Sequence, residues 1–244
     1  MGRKIIHMAD IITGVSHDTI LTTVPRVDIR RSHVIYNGVD YHQFKYRSKK
    51  NCRVSTVGME LGFEGKTVIM NNGRLVPQKG QKYLLKAFAK LSKDYDDLRL
   101  LIIGSGPLES QLRSMAERLN VDKDMKITYG ISEEMLPYYF NIADIFAFPS
   151  LFEPAGMALL EAAACRVPAV AAKVGGIPEM IGEYGIYTRP KSAEDIEDKI
   201  RYVIENRGEV EKMTRSARKL IERKHDWDRI ARQYENVFEE SMGA

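Results

Sequence analysis

The chain has 244 residues, of which 44% are hydrophobic and 29% charged, as in an ordinary globular protein. No apolar run approaches the roughly 20 residues of a membrane span, and the amino-terminal stretch lacks the apolar core of a signal peptide. The two cysteines exclude a disulfide framework, and the five scattered histidines have no metal-ligand spacing. We therefore expect a cytoplasmic protein without a metal site.

The net charge of +4 is compatible with an anionic ligand, and peripheral contact with a membrane is left open. The densest basic stretch is KYRSKKNCR at residues 45–53. We interpret it first as a flexible polar linker and only second as a patch for lipid or nucleic acid. Nucleic acid is not an expected partner, because the sequence has no helix-turn-helix signature and no basic strand with interleaved aromatic residues.

The first 45 residues predict one small α/β unit, with a strand at 10–14, a helix at 16–22 and a strand at 34–36. Independent domains rarely fall below about 40–50 residues. The unit must therefore pack on the main domain, on a second copy, or on something absent from this sequence.

From residue 66 onward, short apolar runs alternate with amphipathic segments. Strands are predicted at 67–70, 98–103, 126–129, 145–148, 169–171 and 185–187, and helices at 81–91, 108–119, 135–142, 157–164, 177–181, 193–205, 210–223 and 228–241. Apolar strands that are each followed by a helix indicate a doubly wound parallel α/β sheet, whose ligands lie at the carboxyl ends of the strands. We assign residues 46–227 to this Rossmann-like domain and residues 228–244 to a closing helix.

A glycine-flanked loop, GRLVPQKG, follows the first strand of the main domain. Gly73 and Gly80 let the backbone turn tightly and approach a ligand. Between them, Arg74 offers a planar fork and Lys79 a point charge, which together suit a diphosphate. A single basic residue after a strand is more often an ordinary surface residue, so the prediction depends on Arg74 and Lys79 occurring together in one loop.

The next strand-to-helix turn is Gly104-Ser105-Gly106-Pro107. It resembles the start of a dinucleotide fingerprint, but Glu109 occupies the third-glycine position, which disfavours NAD(P). A tight turn before a helix explains the motif whatever the function. A place beside a nucleotide is compatible with that turn.

Two carboxylates, Glu153 and Glu161, form an E-x7-E pattern around a predicted helix start. Pro154 and Gly156 keep Glu153 in the loop, where free amides and the helix dipole favour an anion. Glu161 lies in the otherwise apolar stretch MALLEAAAC and therefore needs a partner. A phosphate site flanked by two hydroxyl-accepting carboxylates suits a sugar diphosphate.

These motifs, GRLVPQKG, GSGP and FPSLFEPAGMALLEAAACRVPAVAAKVGGIPEMI, resemble in this order the C-terminal domain of family-4 retaining glycosyltransferases. That family has the GT-B fold, in which the acceptor binds a separate N-terminal domain. Residues 1–45 resemble only the last strand–helix unit of that domain and the linker strand. We therefore expect the acceptor half to come from a longer protein or a partner chain, with a homodimer also left open.

The resemblance implies roles for particular residues. Arg74 and Lys79 would bind the donor diphosphate and stabilise the leaving nucleotide, and Glu153 would accept hydrogen bonds from the sugar. Glu161 would bind the ribose diol. The remaining implied contacts to the nucleotide sugar are Gly73, Gly104, Gly106, Ile131, Gly156, Met157 and Ala158. The donor, a UDP-, GDP- or ADP-sugar, is a co-substrate, and the resemblance implies neither a cofactor nor a metal.

Two residues depart from the family pattern. Ala155 stands where an aromatic residue is common, and Arg166 stands where a glycine is usual. We predict a chain that binds the donor but transfers poorly alone. A non-catalytic nucleotide-sugar-binding subunit or sensor is the alternative. A glycoside hydrolase using Glu153 and Glu161 is disfavoured, because such an enzyme needs no cations that bind a diphosphate.

Overall fold

The computed structural model describes residues 9–23 and 29–243. Residues 1–8, for which we predict no signal peptide, lie outside this range. The described chain opens with strand β1 (Ile12–Gly14), helix α1 (His17–Thr23), a 3-10 turn (Ile29–Arg31) and strand β2 (Ser32–Val34). Strands β1 and β2 are parallel. The strand predicted at 34–36 lies two residues earlier, at Ser32–Val34. The Ile35 amide still donates to the Gly14 carbonyl at 3.0 Å, but the Ile35 side chain is buried beside the C-terminal helix.

Six parallel strands form the main sheet: β3 (Thr67–Asn72), β4 (Leu98–Ile103), β5 (Met125–Thr128), β6 (Ile145–Phe148), β7 (Ala169–Ala172) and β8 (Ile186–Thr188). Their order across the sheet is β5-β4-β3-β6-β7-β8. The accompanying helices are α2 (Cys52–Glu60), α3 (Gln81–Leu91), α4 (Glu109–Arg118), α5 (Leu136–Ile142), α6 (Met157–Ala164), α7 (Ile177–Ile181), α8 (Ala193–Glu205), α9 (Arg207–Lys224) and α10 (Trp227–Gly243). Further 3-10 turns lie at Pro77–Lys79, Asp122–Asp124 and Gly182–Tyr184.

The core has two layers because both faces of this sheet are covered by helices. In β3, Val68 and Met70 belong to the layer that includes Leu160 of α6, whereas Ile69 between them packs with Phe88 of α3. A strand buried on both faces is therefore apolar along most of its length. The predicted doubly wound α/β fold is therefore confirmed. The observed strands β5 and β8 differ from the predicted ranges by one residue at each end.

The basic stretch at 45–53 is not the flexible linker that we predicted. Helix α2 begins within it, capped by Asn51, whose side chain accepts from the backbone at the helix start. Val54 of this helix is fully buried, and Lys49 Nζ lies 2.6 Å from Asp144 Oδ2. The run of cations conceals the start of a short amphipathic helix, because the buried face of α2 consists only of Val54, Val57 and Gly58.

The amino-terminal unit packs on the main domain, which is the first of the three arrangements that we expected. Glu179 of α7 accepts the amides of His17 (2.9 Å) and Asp18 (3.1 Å), which caps the start of α1. Ile35 is buried beside Ile230 of α10. Within the described ranges, no helix is long and apolar enough to cross a membrane.

Candidate functional site

The strand order reverses between β3 and β6, and we refer to the carboxyl edge of the sheet at this point as the crevice. Backbone pairing of these strands ends at Met70 and Phe146. Beyond that point Asn71 Nδ2 donates to the Ala147 carbonyl at 2.8 Å, so a side chain bridges the strands where they separate. Doubly wound sheets bind their ligands at this position. The GRLVPQKG and E-x7-E loops leave the sheet on its two sides.

The structure brings together Lys79 and Glu153, one residue from each loop. Lys79 Nζ lies 2.5 Å from Glu153 Oε2, and 5.2 Å from the ring centroid of Phe148. The two side chains are only 19% and 11% exposed. Burial shields this ion pair from solvent, so it is stronger than a surface pair and its partners are fixed in position.

The carboxylate of Glu153 has further partners within its own loop. Its Oε1 accepts the Gly156 amide at 3.2 Å, and Ser150 Oγ lies 3.4 Å from Oε2. Gly156 adopts a left-handed conformation, with φ +66°, as the N-cap of α6. The Gly156 amide thus orients the Glu153 carboxylate. Ser150, which is fully buried, is a site residue that we did not predict.

Gly80 explains why the two loops meet. It has φ +68°, and a Cβ at this position would lie 2.1 Å from the Pro149 carbonyl oxygen. The neighbouring Leu151 amide donates to the Gln78 carbonyl at 2.7 Å. Only glycine allows this approach, which places Lys79 opposite Glu153.

Gly175 and Gly176, in the loop after β7, hold the backbone of Glu153. The Gly176 amide donates to the Glu153 carbonyl at 3.0 Å, and a Cβ on Gly175 would lie 2.3 Å from the same oxygen. We did not predict this contact. The signal in the sequence was a glycine pair shortly after a buried strand and before a helix.

The glycines of the GSGP turn pack against the GRLVPQKG loop. A Cβ on Gly104 would lie 2.1 Å from the Gly73 carbonyl oxygen, and one on Gly106 would lie 2.6 Å from that of Leu75. Close packing of two loops is therefore sufficient reason for these glycines. The place of Gly104, Gly106 and Ile131 beside a base stays a prediction; Ile131 is half-buried against the core.

Helix α6 begins with Met157 and Ala158 and carries the second carboxylate of the E-x7-E motif, Glu161. Within the described ranges, the amides of Met157 and Ala158 have no hydrogen-bond acceptor. Glu161 follows Met157 by one helical turn. Burial, with a smaller contribution from Glu133, raises the pKa of Glu161 to about 7. No residue of the described chain donates a hydrogen bond to this carboxylate.

Arg74 is exposed, unlike Lys79. Its carbonyl accepts from Gln81 Nε2 at 2.9 Å, which holds the loop backbone. Its guanidinium makes no ion pair within the parts of the chain that the structure describes, so Lys79 rather than Arg74 is the cationic partner of Glu153. Across those same parts, no cluster of three or more His, Cys, Asp or Glu side chains is arranged to hold a metal.

Six parallel strands in this order, with a buried cation–carboxylate pair where the order reverses, define a Rossmann-like ligand-binding domain. Residues 60–220 match the model of the family described as glycosyl transferases group 1. This chain belongs to that family.

Two curated relatives show how the match extends. An uncharacterized glycosyltransferase of Methanocaldococcus jannaschii is 31% identical over 215 residues, which are 86% of this chain and 54% of that protein. A GDP-mannose-dependent alpha-(1-6)-phosphatidylinositol monomannoside mannosyltransferase of Mycolicibacterium smegmatis is 39% identical over 127 residues, 49% of this chain and 33% of that protein. The chain thus spans about half the length, or less, of these relatives.

Solved structures match over most of the chain. HepE from Anabaena, in complex with UDP and glucose, superposes with a TM-score of 0.85 at 24% identity and covers 95% of this chain and 64% of its own. The C-terminal domain of a glycosyl transferase group 1 family protein from Francisella tularensis has a TM-score of 0.69 at 25% identity and covers 78% of this chain and all of its own. These neighbours are GT-B glycosyltransferases, so the predicted fold family is confirmed.

Proposed function

We propose that this chain binds the donor of a retaining glycosyltransferase, which transfers a hexosyl group from a nucleoside diphosphate sugar. The observation that carries the proposal is the buried Lys79–Glu153 pair at the reversal of strand order. Glu161, a largely buried carboxylate without a partner in the described chain, lies on the helix that starts beside it. The arrangement offers a cation for the diphosphate and two carboxylates for hydroxyl groups.

Donor binding would exchange the partners of Lys79. The ammonium would turn from Glu153 Oε2 to the diphosphate, and the freed Oε2 would accept a sugar hydroxyl. Glu153 would stay in place during this exchange, because the Gly156 amide and the Ser150 hydroxyl also contact its carboxylate. The ribose diol would donate to Glu161, and the unpaired amides of Met157 and Ala158 would face the diphosphate or sugar.

In the transfer step, the bond between the anomeric carbon and the diphosphate oxygen breaks, and its electron pair stays on the diphosphate. The acceptor hydroxyl attacks the same face of the sugar and passes its proton to the departing oxygen, so the anomeric configuration is retained. Lys79 and the exposed guanidinium of Arg74 would stabilise the growing negative charge. Each charge-assisted hydrogen bond contributes about 1.5–3 kcal/mol.

The nucleotide base is left to experiment. One relative is named as GDP-mannose-dependent and one neighbour holds UDP and glucose, so neither base is favoured for this chain. The nucleotide sugar is a co-substrate in this proposal, and metal independence and poor transfer by the chain alone stay predictions.

Calorimetric titration with UDP, GDP and ADP, with and without their sugars, tests donor binding and identifies the base. Lys79→Ala should weaken binding of the selected nucleotide by about 30-fold, equivalent to about 2 kcal/mol. Lys82→Ala is the matched control, because Lys82 follows on α3 and its Nζ lies over the Tyr83 ring, 5.0 Å from the centroid. An unchanged affinity in Lys79→Ala, or equal losses in both variants, would contradict the proposal. Hydrolysis of an aryl glycoside without nucleotide would favour a hydrolase instead.

A further inference from the structure

A cavity of about 410 Å³ opens at the amino edge of the sheet, opposite the crevice between β3 and β6. Its walls include Thr67 and Ile145, the first residues of β3 and β6, and Pro168, which directly precedes β7. Residues of α8 and α9 close its other side. Small-molecule sites commonly have volumes of about 300–1,000 Å³, so the cavity has room for a ligand distinct from the donor.

The lining of this amino-edge cavity combines an excess of positive charge with apolar residues. Its charged residues are Arg47, Lys49, Arg166 and Arg207 against Asp144 and Glu211, an excess of two positive charges. Its apolar residues include Ile145, Pro168, Val203 and Ile204. This combination suits an anion that carries a small apolar body.

The two carboxylates of the lining already have cationic partners. Asp144 Oδ2 lies 2.6 Å from Lys49 Nζ. Glu211 Oε1 lies 2.6 Å from Arg215 and 3.5 Å from Arg166. The closer contact of Glu211 is thus with Arg215, which leaves Arg166 with only a long, weak ion pair.

Arg166 and Arg207 keep most of their hydrogen-bonding capacity for another partner. Arg207 makes one contact within the described ranges, 3.4 Å from its Nη2 to Thr67 Oγ1. The Arg166 guanidinium lies 4.5 Å from the Tyr46 ring centroid, and its Nε is buried without an acceptor in the described chain. Two guanidinium groups with unfilled donors therefore line the same cavity.

The backbone at Arg166 is strained. Its φ is +61°, in the left-handed region that a side chain with a Cβ disfavours. Glycine would fit this position without strain. The left-handed backbone ends helix α6, since the Arg166 amide donates to the Ala163 carbonyl at 3.0 Å and the Val167 amide donates to that of Ala162 at 2.9 Å. The turn thus explains the φ of residue 166 but not why its side chain is an arginine.

We propose that the amino-edge cavity binds a small organic phosphate monoester at a site distinct from the donor site. The Arg166 and Arg207 guanidinium groups would hold the phosphate dianion, because their planar forks match its oxygen atoms. The apolar part of the ligand would contact Pro168 and Val203. The proposal goes beyond donor binding, because these residues lie at the other end of the strands.

Calorimetry with phenyl phosphate tests this site, with inorganic phosphate and phenol as probes for its two halves. Phenyl phosphate should bind the wild type, and more tightly than either half probe. Arg166→Gly and Arg207→Gln should each weaken binding at least tenfold. Arg166→Gly should also raise the melting temperature, because glycine relieves the strained φ, so its loss of binding would not reflect misfolding.

Two control variants separate this cavity from the rest of the surface. Arg189→Gln removes an arginine whose side chain is 78% exposed, and Lys79→Ala removes the donor-site cation; neither should alter phenyl phosphate affinity. The proposal is overturned if phenyl phosphate does not bind, if inorganic phosphate binds as tightly, or if Lys79→Ala rather than Arg166→Gly and Arg207→Gln abolishes binding.

Discussion

Replacing Glu161 by Gln should stabilise the unliganded protein at alkaline pH and weaken its binding of nucleotide. Burial, with a smaller contribution from Glu133, raises the pKa of Glu161 from 4.5 to about 7. Between these two values the folded protein holds a proton that the unfolded chain releases, so the folded state loses stability as the pH rises. Above pH 7 the charge on Glu161 costs about 3 kcal/mol, which Gln removes.

Thermal unfolding at pH 5 and pH 8 measures this effect. The advantage of Glu161→Gln over the wild type should be larger at pH 8 by about 2 kcal/mol, or roughly 5 °C for a chain of this size. The control is Glu134→Gln, which removes the same charge from an exposed position on the loop before α5. Calorimetry at pH 8 should show about tenfold weaker nucleotide binding by Glu161→Gln. An equal change in melting temperature at both pH values would refute the reasoning.

Two further substitutions test how the loops are held, both by urea unfolding. Gly80→Ala should cost about 3 kcal/mol or more, because its Cβ would collide with the Pro149 carbonyl; Gly62→Ala, with a similar φ of +66° but open space around it, should cost only about 1 kcal/mol. Arg218→Lys should cost about 2–3 kcal/mol, because the guanidinium donates to three backbone carbonyls. The exposed Arg215→Lys should have almost no effect, and equal costs within either pair would contradict the assigned contacts.

The sheet was predictable from the sequence because strands covered on both faces are continuously apolar. The end of β3 shows the limit of that signal. The apolar run stops at Met70, whereas pairing with β4 continues through Asn71 and Asn72. Asn71 is polar because its side chain bridges to β6 where the backbone pairing ends. A sequence pattern does not show at which residue a strand stops pairing with each of its two neighbours.

The site was predictable as a set of loops but not as a set of contacts. Parallel strands direct all their carboxyl ends to one edge, so the loops carrying Lys79 and Glu153 had to lie there. Whether the two residues touch depends on the approach of Gly80 to Pro149, a contact between chain segments far apart in sequence. The same holds for Gly176, whose hydrogen bond to Glu153 depends on the position of β7 beside β6.

The two carboxylates of the E-x7-E motif differ in their partners, and this difference predicts how each contributes to donor binding. Glu161 has no partner in the described chain, whereas Glu153 is held by Lys79, Gly156 and Ser150. In the proposed donor site, a bare nucleoside diphosphate would take Lys79 away from Glu153 and leave Oε2 without that partner. A nucleotide sugar would replace the lost contact with a hydroxyl group, so we expect it to bind more tightly than the bare nucleotide.

Glu153→Gln should therefore reduce the gap in affinity between the nucleotide sugar and the bare nucleotide. The amide oxygen can still accept from Gly156, while the competitor for the Lys79 ammonium is gone. Bare nucleotide should bind as well as before or better, and the additional affinity of the sugar, about 1.5–3 kcal/mol for a charged acceptor, should largely disappear. Calorimetry with both ligands measures this, with Glu134→Gln as the control. If Glu153→Gln weakens the binding of both ligands equally, Glu153 supports the loop without a hydrogen bond to the sugar.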